Sequence, residues 1–207
     1  MNLRVVTTPL LLISLVLTTA HAAMPGADEI VRTTADKVIE RLNAEKQDLD
    51  AHPEHLYSLI QELIVPHFDT AIMSRWILGK DWKKATREQR QEFSRQFTNL
   101  MVRTYAKALL EYSDEEIRYL PLEVNPNSNL VMVKTEVSSD GGSVVPINYR
   151  MHVSGGDWKV IDVSVDGVSL VGTYRGSFAS EIRKNGLDGL IQKLADRNQR
   201  LASSEGE

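Results

Sequence analysis

Histidine and acidic residues are the first candidates for chemistry, because they bind metal ions and transfer protons. His52 and His55 stand three residues apart with Pro53 between them, and His67 lies two residues before Asp69. A zinc site needs three or four convergent ligands, and the chain contains no cysteine. We therefore expect no metal site and no cofactor, and interpret these histidines as residues at helix edges.

A serine and two aspartates are the next candidates. Ser169 lies in "DGVSLVG", which lacks the glycine spacing of a nucleophile elbow and shows no strand-to-helix turn behind it, so we expect the serine to cap or bond backbone. Asp162 and Asp166 could act as paired carboxylates in a cone-shaped α+β enzyme, but no partner base is evident. The simpler interpretation is that Asp162 is bonded structurally and Asp166 occupies a turn. The sequence favours a protein that is not an enzyme.

The segment "KDWKKATREQR", residues 80–90, holds five basic and two acidic residues. It could dock an acidic partner or a lipid head group, but a solvated helix start is the more common meaning of such a run. The whole chain carries a formal charge of -4, which disfavours a nucleic-acid partner.

The amino terminus has the pattern of an export signal. Arg4 precedes the apolar run "LLLISLVLTT", and "AHA" at residues 20–22 supplies small residues for cleavage. We expect residues 1–22 to be removed and the mature chain to be a soluble exported protein, since no later segment has the roughly 18 apolar residues that span a bilayer. Residues 23–201 should form a single α+β domain and residues 202–207 a flexible tail.

Apolar residues at helical spacing predict the helices. The pattern covers residues 28–45 and then "HPEHLYSLIQELIVPHF", which Pro66 ends. The longest helix should be a rod of about seven turns that begins at a capping box formed by Thr86 and Gln89. Near the end of the chain, Asn185-Gly186 should close one helix, and another should follow it.

Between these helices the period of the pattern changes to two. Apolar and polar residues alternate over 131–137 and 145–153, and a third run spans 158–165. The turns "SSDGGS" and "SGGD" join the runs into an antiparallel meander, and "EIRYLPLEV" should add an edge strand because Pro121 cannot donate to a central ladder. We predict an α+β fold in which a curved antiparallel sheet of about four strands, dry on one face, packs against several helices.

The apolar side chains of the long helix and the sheet could fill a plain core or line a cavity. From periodicity alone a plain core is the more common outcome. Bulky or adaptable side chains suited to a variable apolar ligand nevertheless occur on both sides, namely Phe97, Met101 and Tyr105 on the helix and Ile147, Tyr149 and Met151 on the sheet.

Several segments together resemble the MlaC family, also called the toluene-tolerance lipid-binding proteins. They are "LGKDWKKATREQRQEFSRQFTNLMVRTYAKALLEY", "VKTEV", "INYRM", "DWKVIDVSVDGVSLVGTYRGSF" and "GLDGLIQKL", and they cover nearly the whole mature chain. The resemblance implies a fold distantly like nuclear transport factor 2, and a periplasmic carrier that shuttles phospholipid between the two membranes of a Gram-negative envelope. It also implies two partners, an inner-membrane ABC transporter complex with an MCE-domain ring and an outer-membrane lipoprotein associated with porins, and a role in outer-membrane lipid asymmetry.

The resemblance further implies that the acyl chains lie in an apolar cavity between sheet and helices. Tyr174 and Arg175 match the family's Tyr-Arg motif; Arg175 could contact the phosphate or fix its segment by pairing with a carboxylate, and we favour the structural role. Two alternatives remain, a cone-shaped α+β enzyme such as an isomerase or small hydrolase, and an envelope interaction protein with a full core. The predicted cavity lining comprises Phe97, Met101, Tyr105, Val133, Ile147, Tyr149, Met151, Val163, Val165, Val168 and Leu170.

Overall fold

The structure is a computed structural model that describes residues 26–111, 115–123, 128–138 and 143–203. The predicted export signal, most of the "SSDGGS" turn and the last four residues lie outside these ranges. The helices are α1 (Ala27–Ala44), α2 (Lys46–Ala51), α3 (Pro53–Leu63), α4 (Thr70–Leu78), α5 (Lys80–Lys84), α6 (Arg87–Glu111) and α7 (Leu170–Ser203), with a 3-10 turn at Val65–His67. The strands are β1 (Glu116–Tyr119), β2 (Leu130–Ser138), β3 (Val144–Ser154), β4 (Asp157–Val165) and β5 (Val168–Ser169).

The capping box predicted for the long helix is formed in full. The backbone N–H of Gln89 donates to Oγ1 of Thr86 at 3.1 Å, and the backbone N–H of Thr86 donates to Oε1 of Gln89 at 3.0 Å. These two bonds satisfy donors that a helix start otherwise leaves unpaired. α6 then runs for 25 residues, which confirms the prediction of about seven turns.

The strands form one sheet in the order β1-β2-β3-β4-β5, with every neighbouring pair antiparallel. β1 lies at one edge and ends at Tyr119, two residues before Pro121, as predicted. The fifth strand exceeds the predicted number of about four. It exists because Asp166 and Gly167 adopt φ angles of 50° and 77°, the left-handed pair that a tight hairpin requires.

β5 leads directly into α7, so the chain does make a strand-to-helix turn at Ser169, contrary to the expectation from sequence. α7 is broken at Gly186, whose φ of 73° and ψ of 177° are not helical. This break confirms the predicted helix end at Asn185-Gly186, because glycine adopts a positive φ without the strain that a Cβ would bring. The second half of α7 extends through Ser203.

Within the described ranges, the buried apolar residues form three clusters instead of one. The helical cluster joins α4, α6 and α7 and includes Phe93, Phe97, Leu100, Phe178 and Leu190. The α3 cluster joins α1, α2, α3 and α6 and includes Leu42, Leu49, Leu56, Leu59 and Ala106. The sheet cluster joins α1 to the sheet and consists of Ala27, Val31, Val131, Val133, Met151 and Val160.

A buried polar bond also ties α7 to α6. The amide of Asn198 donates to the backbone oxygen of Gln96 at 2.9 Å and to its Oε1 at 2.7 Å. Among the helices in the described ranges, none is long and apolar enough to cross a membrane.

Candidate functional site: the apolar face of the sheet

One face of the sheet carries the apolar residues that the sequence assigned to a cavity. Cross-strand pairing places Val133 opposite Tyr149 and Tyr149 opposite Val163, while Ile147 lies opposite Val165. Since directly paired residues point to the same side of a sheet, six predicted lining residues share one face. We call this surface the apolar sheet face, and its members are Val131, Val133, Val137, Val145, Ile147, Tyr149, Met151, Val160, Val163 and Val165.

A β-bulge in β4 lets both halves of that strand contribute to this face. The register shifts between Arg150 and Met151, which pair with Asp162 and Val160, so Ile161 is the extra residue. A bulge of one residue reverses which side the following residues face. Val160 before the bulge and Val163 after it therefore both point to the apolar sheet face, although strict alternation would separate them.

The apolar sheet face is covered at one end more than at the other. Met151 is 0% exposed and Val133 is 1% exposed, because Ala27 and Val31 of α1 pack on this end in the sheet cluster. Farther along the same face Val137 is buried, at 8% exposed, but its neighbours are only partly buried. These neighbours are Val145, Ile147, Tyr149, Val163 and Val165, of which Tyr149 and Val163 pack against the sheet cluster. This end is apolar surface that the side chains of the protein do not fully cover.

The predicted lining residues of the long helix lie elsewhere. Phe97, 1% exposed, belongs to the helical cluster, where its ring stacks 6.0 Å from Phe93 and meets Tyr174 edge-on at 5.2 Å. Met101 packs against the same cluster, and Tyr105 is partly buried beside Tyr174. Burial, together with the neighbouring Tyr105 phenol, raises the pKa of Tyr174 to about 12. Their role as cavity lining stays a prediction.

The last two predicted lining residues flank the junction between β5 and α7. Val168 is 60% exposed in β5, and Leu170, the first residue of α7, is partly buried. Most of the predicted lining residues thus lie in one of two groups, the apolar sheet face or the helical cluster. Val168 lies on the surface.

Asp162 fixes the junction between the sheet and α7. Its Oδ2 accepts a hydrogen bond from the Ser169 hydroxyl at 2.6 Å, and its Oδ1 accepts one from the backbone N–H of Val171 at 3.1 Å. The Ser169 oxygen in turn accepts from the backbone N–H of Gly172 at 2.9 Å, which caps α7. The predicted structural role of Asp162, the capping role of Ser169 and the turn position of Asp166 are confirmed. Both carboxylate oxygens of Asp162 are used in holding backbone and hydroxyl groups.

Arg175 lies over the end of α4. A Cβ built on Gly79, which ends α4 with a φ of 55°, would be 3.5 Å from Nη2 of Arg175. No carboxylate in the described part of the chain forms an ion pair with Arg175, and its side chain is exposed. A cation at the carboxyl end of a helix is stabilised by the helix dipole.

His52, His55 and His152 each lie next to a carboxylate. Nδ1 of His55 lies 2.6 Å from Oδ2 of Asp48, and this hydrogen bond raises the pKa of His55. Nε2 of His152 lies 2.9 Å from Oδ2 of Asp69, whose Oδ1 caps α4 at the N–H of Ile72. No local sequence pattern predicts the Asp69–His152 contact, since the two residues are 83 positions apart. The described ranges contain no group of three or more potential metal ligands.

A separate open groove of about 510 Å³ lies between α3 and α6. Its lining includes Tyr57, whose ring lies 5.0 Å from the guanidinium carbon of Arg103. None of the predicted lining residues belongs to this groove.

A family model described as "MlaC protein" matches residues 32–196. The toluene tolerance protein ttg2D of Pseudomonas putida is 29% identical over 161 residues, covering 77% of this chain and 74% of its own. The intermembrane phospholipid transport system binding protein MlaC of Haemophilus influenzae is 25% identical over 169 residues, covering 80% and 78%. A phospholipid-binding protein from Ralstonia solanacearum, solved in complex with a phospholipid, superposes with a TM-score of 0.79 at 31% identity and covers 86% of this chain and 99% of its own.

Proposed function

Because the chain belongs to the MlaC family, we propose that it is a carrier that binds phospholipid and moves it between membranes without breaking or forming covalent bonds. The observation that carries the proposal is the phospholipid complex of the Ralstonia relative, which shares the fold over most of this chain. The names of the other relatives, which refer to phospholipid transport and toluene tolerance, agree with it.

The energetic need for such a carrier follows from the hydrocarbon chains of its cargo. Burial of each methylene is worth about 0.8 kcal/mol, so a chain of some fifteen carbons is worth on the order of 12 kcal/mol against water. A lipid therefore cannot leave a membrane for water unshielded at a useful rate. The carrier must offer burial close to that of the membrane, so that partners can bias loading and release.

The partly covered end of the apolar sheet face is the proposed acyl-chain site. Its side chains are apolar and lie on one continuous surface, but they are less buried than those under α1. An acyl chain lying there would complete the burial. The proposed site comprises Ile147, Tyr149, Val163 and Val165, with Val133 and Met151 forming its floor under α1.

The proposed carrier catalyses no reaction, because Asp162 is not placed to act as a general base. A general base has to reach the substrate, whereas Asp162 is 7% exposed and its two oxygens are held by Ser169 and Val171 at the junction with α7. The same bonds explain why an aspartate is used at this position, since a helix start attracts negative charge.

The proposed setting is the periplasm, reached through an export signal at residues 1–22. The proposed partners are an inner-membrane ABC transporter complex with an MCE-domain ring and an outer-membrane lipoprotein associated with porins. With them the carrier would maintain the lipid asymmetry of the outer membrane. The basis for these proposals is the family membership and the name of the Haemophilus relative.

Substitution of Ile147 by glutamate tests the acyl-chain site. A carboxylate on the apolar sheet face would have to be desolvated beside the hydrocarbon chain, so we expect bound lipid to fall by about tenfold or more. The measurement is native mass spectrometry of the protein purified from a periplasmic extract, with lipid extraction to quantify the bound phospholipid.

Val144→Glu is the matched control. Val144 lies three residues earlier in the same strand, pairs with Ser138 on the opposite face of the sheet and is 53% exposed. The same chemical change there should leave bound lipid unchanged. Full lipid occupancy in Ile147→Glu would place the acyl chains elsewhere, and a wild-type protein without any lipid would contradict the carrier proposal itself.

A further inference from the structure

A tyrosine hydroxyl on the apolar sheet face lacks a hydrogen-bond partner. Tyr119 is the last residue of β1 and pairs with Thr135 of β2, so its side chain points to the apolar sheet face. The hydroxyl oxygen is buried, and no donor or acceptor within the described ranges bonds to it. A buried hydroxyl that makes no hydrogen bond is rare in folded proteins, because desolvation is then uncompensated.

From this geometry we infer that the Tyr119 hydroxyl donates a hydrogen bond to an ester carbonyl of the bound phospholipid and so makes the protein selective for diacyl ester lipids over dialkyl ether lipids. The inference rests on the proposed function and names the part of the lipid that the apolar sheet face recognises.

The surroundings of Tyr119 place this hydroxyl among other hydroxyls of the same face. Thr135, opposite it, donates through Oγ1 to the backbone oxygen of Ile147 at 2.9 Å. Tyr149, on the next strand, contacts the Thr135 side chain and lies close enough to Tyr119 for the two phenols to interact. Burial, with a smaller contribution from Tyr119, raises the pKa of Tyr149 to about 12, so both phenols stay protonated and able to donate at neutral pH.

The apolar surroundings of the Tyr119 hydroxyl limit which lipid group can accept its hydrogen bond. A hydrocarbon chain offers no acceptor, and a phosphate would lose its hydration on entering an apolar face. An ester carbonyl is neutral, accepts hydrogen bonds and marks the point where the acyl chain begins. An ether lipid has no carbonyl at this point, and its ether oxygen is a weaker hydrogen-bond acceptor.

The position of the positive charge of Arg32 next to Tyr119 matches the order of the ester and phosphate groups in a phospholipid. Arg32 of α1 is exposed, and its guanidinium carbon lies 3.9 Å from the centre of the Tyr119 ring. The ring is therefore held between the helix and the sheet, with a cation on its solvent side and the hydroxyl buried. In a phospholipid the phosphate likewise lies on the solvent side of the ester groups.

A competition between two lipids tests the inference. Wild-type mature protein would be offered dipalmitoyl phosphatidylglycerol and its dihexadecyl ether analogue in equal amounts, and the bound fractions read by native mass spectrometry. We expect the ester lipid to be favoured about tenfold, the ratio that one buried hydrogen bond provides. Tyr119→Phe should bind both lipids at a ratio near one, with an unfolding temperature equal to or above that of the wild type.

Tyr57→Phe is the matched control, because Tyr57 is also a tyrosine beside an arginine but lies in the α3 cluster. It should keep the wild-type preference. Equal uptake of both lipids by the wild type, or an unchanged preference in Tyr119→Phe, would overturn the inference while leaving lipid carriage intact. Failure of the wild type to take up either lipid would overturn the proposed function together with the inference.

Discussion

At the scale of single residues, the carboxylate of Asp162 connects β4 of the sheet directly to the start of α7 through two hydrogen bonds. Replacing Asp162 by alanine removes two charge-assisted bonds and leaves the Val171 N–H buried without that partner. We expect a loss of about 2 to 4 kcal/mol in the free energy of unfolding. Urea denaturation followed by circular dichroism measures it.

Asp166→Asn controls for the change of charge in this region. Asp166 has a φ of 50° in the hairpin turn, and asparagine tolerates that conformation as well as aspartate does. We expect a change below about 0.5 kcal/mol. An Asp162→Ala protein as stable as Asp166→Asn would mean that the contacts of Asp162 contribute little to stability.

The role of a single residue could be predicted where its hydrogen-bond partners lie within a few positions along the chain. The spacing of Ser169 after a turn indicated a backbone cap, and Thr86 with Gln89 indicated a capping box; the structure contains both. The contact of Asp69 with His152 and the buried hydroxyl of Tyr119 depend on which distant residues the fold brings together. No local pattern encodes such contacts.

At the scale of an element, the break in α7 separates two helices that both contribute to the helical cluster with α4 and α6. Gly186→Ala would force a Cβ into the left-handed region at a φ of 73°. We expect this substitution to destabilise the protein by about 1 kcal/mol or more. Thermal or urea unfolding gives the comparison.

Gly176 provides the opposite case in the same helix. It lies in a helical part of α7, and a Cβ added there would meet no atom within 4 Å. Gly176→Ala should therefore be neutral or stabilise by about 0.5 to 1 kcal/mol. If both substitutions had the same effect, Gly186 would not owe its presence to its backbone conformation.

Elements with a strong period or a capping motif were predictable, and short or irregular ones were not. The long helix and the three long strands follow from periods of 3.6 and 2. β5 was not predicted because two residues cannot show a period. The bulge at Ile161 was not predicted either, since its only sign in the sequence is a change of phase within β4.

At the scale of the whole molecule, the bound lipid should contribute to stability. Removing it exposes apolar surface at the partly covered end of the sheet. The free energy that lipid binding adds to the stability of the folded state is then lost. We expect the delipidated protein to unfold roughly 5 to 10 °C below the loaded one if lipid is present at about a hundred times its dissociation constant. Differential scanning calorimetry before and after delipidation measures the shift.

Re-addition of lipid should restore the unfolding temperature of the wild type and of Val144→Glu, but leave that of Ile147→Glu unchanged. A delipidated wild type that unfolds at the same temperature as the loaded protein would contradict the idea that lipid completes the core.

The overall architecture was predictable in its class but not in the arrangement of its core. The sequence placed Phe97 and Met101 opposite Ile147 and Met151, as two sides of one core. In the structure Phe97 and Met101 pack in the helical cluster, whereas Met151 lies in the sheet cluster. Periodicity states which side of an element is apolar, and only the fold decides which partner that side meets.

The division of the core into three clusters has a mechanical consequence. α1 belongs to both the α3 cluster and the sheet cluster, α6 belongs to both the α3 cluster and the helical cluster, and Phe68 touches both the helical cluster and the sheet cluster. Each pair of clusters is therefore joined by one shared helix or side chain. Densely packed interiors resist compression, but preassembled blocks can slide past one another by small amounts. We therefore expect the clusters to shift against one another by small amounts when ligands of different width bind, while the packing inside each cluster is kept.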